Sequence, residues 1–156
     1  MIFLATPHQG SDWPKLMEDV FRVNLPIYIK DFKRGSEFLV KLNQNFRNQA
    51  HHLQLTSFRE SRETSAYSKR GSPKAIVVDP SSAKIGKCIC ERLSGFRLRN
   101  IDLPHEKIMP LDADHRQICK FSSNQDENYQ HVRNAIVATF KRILENGMGR
   151  LYGGQT

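Results

Sequence analysis

Met1-Ile2-Phe3-Leu4-Ala5-Thr6-Pro7-His8-Gln9-Gly10-Ser11 decides how the rest of the chain is read. Five apolar residues run without a polar interruption and then stop at a cluster of turn formers. A short apolar run bounded in this way fits a strand buried on both faces, the pattern of a parallel sheet. Immediately after it, Trp13, Leu16, Met17, Val20 and Phe21 recur at helical spacing. Pro26 breaks the pattern, and Phe38, Leu39, Leu42 and Phe46 resume it behind Ser36, a residue suited to capping a helix.

Further along, Leu53 to Phe58 alternates apolar and polar residues and predicts a second strand leading into Arg59-Glu60-Ser61. Residues 61–73 read as a polar loop. Ala75-Ile76-Val77-Val78-Asp79 is the strongest later strand signal, closed by Pro80-Ser81-Ser82. Near the C-terminus, Tyr129, Val132, Ile136, Val137, Phe140, Ile143 and Leu144 trace an apolar helical face over about 129–146. Gly147 is expected to end that helix and leave 147–156 as a flexible tail. Strands that alternate with helices predict an α/β fold with three parallel strands, about 1–5, 53–58 and 75–79, in one domain spanning 1–146.

Composition narrows the function classes. A chain of 156 residues with 38% hydrophobic and 26% charged residues is ordinary for one globular domain. Its apolar runs of about five residues fall far short of the roughly 20 needed to cross a bilayer. No basic region precedes the first apolar run, so no signal peptide is expected and an intracellular setting is. The formal charge of +8 is scattered, with small concentrations at Lys30-Lys33-Arg34, Lys69-Arg70 and Arg92-Arg97-Arg99. Without interleaved aromatics or a basic helical stripe, no specific nucleic-acid partner is expected. Three cysteines, with Cys88 and Cys90 as an isolated C-x-C pair, match neither a disulfide framework nor a zinc site, so neither metal nor cofactor is expected.

Ligands of open α/β sheets gather at the carboxyl ends of strands, which singles out Thr6-Pro7-His8, Arg59-Glu60 and Asp79-Pro80. An acid after one strand followed by a later histidine is the chain order of a Ser-acid-His hydrolase. Phe3-Leu4-Ala5-Thr6-Pro7-His8-Gln9-Gly10-Ser11 resembles the F-L-G-T-P-H-x-G-S signature of a lipase-like α/β-hydrolase family. That family includes the serine-active-site-containing proteins and the hydrolase-like N-terminal domains of many fungal multidomain proteins. The resemblance continues in Leu39-x-x-Leu42-Asn43-x-x-Phe46, in Ser57-Phe58-Arg59-Glu60, and in Val77-Val78-Asp79 through Ser82-Ala83. It ends in Asp114-His115 with Ile118-Cys119-Lys120-Phe121 and in Asp126-x-x-Tyr129.

The resemblance implies acyl-ester hydrolysis of a lipid-like or other ester by Ser-His-acid chemistry. His115 then stands at the position of the catalytic histidine and Glu60 at that of the acid. Asp79 is the competing acid, one predicted strand later. Thr6, Pro7 and His8 would line the site, with His8 holding its loop by hydrogen bonds. In that family the signature follows the nucleophile elbow, yet G-x-S-x-G occurs nowhere in these residues. The expectation is therefore a truncated serine-hydrolase-like domain without its nucleophile, inactive by itself and exposing its first strand to a protein partner. The alternative is a non-catalytic effector head of a multidomain protein. A second departure is an insert at about 87–103, basic and cysteine-containing. It is either a true loop or a translated intron, because Gly86-Lys87-Cys88 can be encoded by a splice-donor-like sequence.

Overall fold

A computed structural model describes residues 1–21, 26–65, 72–85, 103 and 105–152. Most of the 87–103 insert, Cys88 and Cys90, Lys69-Arg70, Arg92-Arg97-Arg99 and the last four residues of the tail lie outside these residues. Nine elements follow in order: β1 (Ile2–Leu4), α1 (Trp13–Phe21), α2 (Ile27–Lys30), α3 (Glu37–Gln49), β2 (Leu55–Glu60), β3 (Thr64–Ser65), β4 (Lys74–Ala75), β5 (Glu106–Leu111) and α4 (Glu127–Tyr152). The fold is α/β, organised on a parallel three-stranded sheet of order β1-β2-β5.

Period-two alternation assigns the sheet its two packing faces. Ile2, Leu4 and Phe58 join Val77, Val78, Ala83, Leu111, Ile118 and Val132 in one core cluster, which brings in α4. Phe3 and Leu55 point the other way, toward Phe46 and Ala50 at the end of α3, with Ile85 and Leu103 completing the second cluster. Helices α3 and α4 thus cover opposite faces. Ser36 caps α3 as its sequence suggests, its hydroxyl accepting the Leu39 N–H at 3.3 Å.

Two predicted elements come out differently. The 75–79 stretch is not the third parallel strand. Only Lys74–Ala75 is extended, and it pairs antiparallel with Thr64–Ser65 inside the expected loop. Val77 and Val78 are buried in a bend whose peptide is held by side chains rather than by a sheet ladder. The third parallel strand is Glu106–Leu111, in full register with β2 from Leu55↔Glu106 to Glu60↔Leu111. Pro110 hides it in the sequence, since proline removes a ladder donor. An edge strand tolerates that loss, and β5 is an edge.

Helix α4 covers the expected 129–146 and runs further, from Glu127 to Tyr152, across two interior glycines, Gly147 and Gly149, that cost about 1 kcal/mol each. Its apolar face is only partly covered. Val132 is buried, whereas Ile136, Phe140, Ile143 and Leu144 are about half exposed or more (53%, 60%, 62% and 48%). The first strand is likewise half-buried rather than enclosed. No helix among the described residues is long and apolar enough to cross a membrane.

Candidate active site

Glu60 is the last residue of β2 and shares a sheet face with Phe58, so its side chain enters the core beside the Val77-Val78 bend. It is fully buried, at 0% exposure. An ionised carboxylate in such a place needs donors, and Glu60 has them: the Val78 N–H donates to Oε1 at 2.6 Å. Oε2 lies 3.5 Å from His115 Nδ1. That separation is an ion-pair distance, longer than a hydrogen bond. Both atoms are buried, neither has another hydrogen-bond partner among the described residues, and each faces the other.

Burial alone would raise the Glu60 carboxyl. The facing His115 and the Val78 N–H outweigh it and hold the carboxyl below its ordinary value. Glu60 is therefore an anion at neutral pH. His115 keeps 36% of its side chain exposed, so a ring anchored at its buried Nδ1 remains open to reaction partners.

The loop carrying His115 is fastened at several points. The His115 N–H donates to Thr64 Oγ1 at 2.9 Å, and Thr64 is itself buried on β3. Asp114 does not contact the imidazole as an acid. Its Oδ1 accepts the Arg116 and Gln117 N–H groups, both at 2.9 Å, and shapes the turn that plugs Ile118 into the core. Upstream, Arg62 forms a two-pronged pair with Asp112, and Asn128 of α4 brackets the Asp112 peptide from both sides.

Asp79 is placed elsewhere. Its Oδ1 accepts from Ser81 N at 2.8 Å, Ser81 Oγ at 2.6 Å and Ser82 N at 3.0 Å, while Oδ2 receives the Arg34 guanidinium. Burial opposes its charge, and the Ser81 and Ser82 donors and Arg34 overcome that and lower its pKa. A carboxylate so occupied organises the turn, and the geometry brings Glu60, not Asp79, to His115. Among the basic residues at 30–34, Lys33 pairs with Glu18, and Arg34 with Asp12 and Asp79.

His8 is 9% exposed, packs edge-on against Phe3 with ring centroids 4.6 Å apart, and has no partner for Nε2 among the described residues. Desolvation pushes its pKa down to about 4. His8 is tied into its loop through its main chain, its N–H donating to the Thr6 carbonyl at 3.0 Å. The fastening comes from main chain and neighbours: Asn43 Nδ2 donates to the His8 carbonyl, Gln9 N to Ser82 O at 3.1 Å, and Gly35 N to Gln9 O at 3.4 Å. Thr6 and Pro7 form the same turn, their carbonyls accepting from His8 N and Gly10 N, both at 3.0 Å.

Sequence reasoning missed Ser11, Thr64, Arg34 and the Val78 amide. Ser11 left two traces, its place at the end of the Phe3–Ser11 signature and its position two residues before Trp13 as a helix-starting residue; Thr64 left none. A cavity of about 720 Å³ between α4 and the sheet is lined by Gln54, Thr56, His105, Lys107 and Arg142. Its lining runs from the start of β2 as far as Met109, which pairs with Phe58, and includes neither Glu60 nor His115. Among the described residues, no group of three or more His, Cys, Asp or Glu is placed to hold a metal ion. No protein-family model, curated protein or solved structure matches the chain.

Proposed function

We propose that this chain supplies the histidine–acid half of a Ser-His-acid ester-hydrolase site, with His115 as base and Glu60 as the acid that orients it. The observation that carries the reading is the buried Glu60 carboxylate, 3.5 Å from a His115 Nδ1 that has no other partner among the described residues. In this chemistry the acid fixes the imidazole with Nδ1 protonated and stabilises the imidazolium formed when Nε2 takes a proton from serine. The likeness of Phe3–Ser11 and Asp114–Phe121 to the lipase-like motifs supports the same assignment.

The serine comes from outside these residues, which contain no G-x-S-x-G. The test is the longest polypeptide encoded in frame with this chain. It should carry a G-x-S-x-G, react with a fluorophosphonate probe and lose that labelling in His115→Ala. Glu60→Gln should lower ester turnover by about 10²–10⁴-fold, the scale of an acid-to-amide change in such triads. This chain by itself should leave a short-chain chromogenic ester unhydrolysed above background. Turnover by the isolated chain that His115→Ala abolishes would contradict the assignment of an external serine.

A second reading is a non-catalytic interaction module, favoured by the uncovered apolar row on α4. A long polypeptide without a reactive serine, whose partner binding survives His115→Ala, would select it.

A further inference from the structure

We propose that Ser11 is a positioning residue for the Glu60–His115 pair, acting through the single peptide group between Val77 and Val78. The proposal rests on Glu60 and His115 being acid and base. Its ground is a continuous set of contacts. The Ser11 hydroxyl donates to the Val77 carbonyl at 2.6 Å, and the Val78 N–H donates to Glu60 Oε1 at 2.6 Å. That carbonyl and that N–H belong to one planar peptide unit, so holding one end fixes the direction of the other.

The peptide lies in a bend and not in a strand, so no ladder sets its orientation. Ser11, Val78 and Glu60 are 3%, 0% and 0% exposed, which leaves little access for water to substitute for a lost contact. Hydrogen bonds in series through such an interior polarise one another, and the hydroxyl at the carbonyl end makes the N–H a better donor to the carboxylate. Ser11 Oγ also accepts the Trp13 N–H at 3.1 Å, which leaves the hydroxyl proton directed at Val77. The surrounding loops are zipped together separately, by Ser82 Oγ to the Gly10 carbonyl and by Arg34 across Asp79. Ser11 thus has a role beyond closing the loop. It aims the amide that keeps Glu60 ionised.

The test is carboxyl-carbon NMR titration of Glu60 in the 156-residue chain, with Ser11→Ala and Ser11→Thr compared to wild type. Ser11→Ala should raise the Glu60 pKa by about one unit or more, since the Val78 N–H is no longer held on the buried carboxylate while the carboxylate's desolvation persists. Ser11→Thr keeps the hydroxyl and should restore the wild-type midpoint. Where Ser11→Ala does not fold, Ser11→Cys, which retains a weak donor, should give a smaller rise in the same direction. An unchanged Glu60 midpoint in folded Ser11→Ala or Ser11→Cys overturns the Ser11 role and leaves the acid–base pair standing. Failure of the pair itself reads differently: Glu60→Gln would leave the His115 ring-nitrogen signals unmoved in a wild-type Ser11 background.

Discussion

Two glycine-loop residues show how closely residue-scale chemistry is set around β1. Gly10 has φ +80°, and a Cβ there would sit 2.6 Å from the Lys33 carbonyl oxygen and 2.8 Å from Arg34 Cα. Gly10→Ala combines left-handed strain with a main-chain clash and should cost about 2–3 kcal/mol, seen as a lower urea midpoint. Ala5 adopts φ 47° where the resembled signature carries glycine. Relief of its strain in Ala5→Gly, about 1 kcal/mol, is offset by loss of a buried methyl worth about 0.8 kcal/mol, so that exchange should be close to neutral. His8 gives a pH signature. Its folded pKa of about 4 lies below the ordinary value of 6.5, so the unfolded chain binds the extra proton between those values. Stability is therefore fully present above about pH 6.5 and falls toward pH 4, by up to roughly 3 kcal/mol. Urea midpoints from pH 4 to 7 should show this slope, and His8→Phe should flatten it. That Glu60 rather than Asp79 faces His115 was legible only through motif likeness. Both acids follow apolar runs, and the difference lies in Arg34 and Ser81, distant or uninformative in sequence, which occupy Asp79.

Among the elements, β1, α1, α3 and β2 could be read from periodicity because each carries its own pattern and its own stop. Ser36→Ala should destabilise α3 by about 1 kcal/mol, measured as a lower midpoint with reduced helical ellipticity before the main transition. The Val77-Val78 pair misled because burial and strand formation are separate properties. These valines are buried, yet their peptide answers to Ser11 and Glu60, partners 66 and 18 residues away in sequence. Conversely, β5 contains Pro110 and little alternation, and it becomes a strand because β2 offers a complete parallel edge from Leu55 to Glu60. Long-range pairing of this kind overrides local propensity and leaves no local trace.

For the molecule as a whole, the layered α/β arrangement was predictable while its incompleteness of cover is a structural finding. Phe38 and Leu42 on α3 are 54% and 52% exposed, and α4 adds Ile136, Val137, Phe140, Ile143 and Leu144 at the surface. Exposed apolar area on this scale promotes association. Light scattering should show the isolated chain self-associating with rising concentration, and Phe140→Glu together with Ile143→Glu should shift it toward monomer. Neither change touches Glu60, His115 or the loops that hold them, so the acid–base geometry should persist in the double variant. The proposed acid–base pair thus sits in a small assembly at the carboxyl end of β2, separable from the uncovered surface. The decisive measurement is the two-bond proton–nitrogen correlation spectrum of His115 at neutral pH. An orienting Glu60 predicts the Nδ1–H tautomer with Nε2 unprotonated, and a shift toward Nε2–H in Glu60→Gln. A wild-type His115 that is already Nε2–H and unaffected by Glu60→Gln would contradict the account.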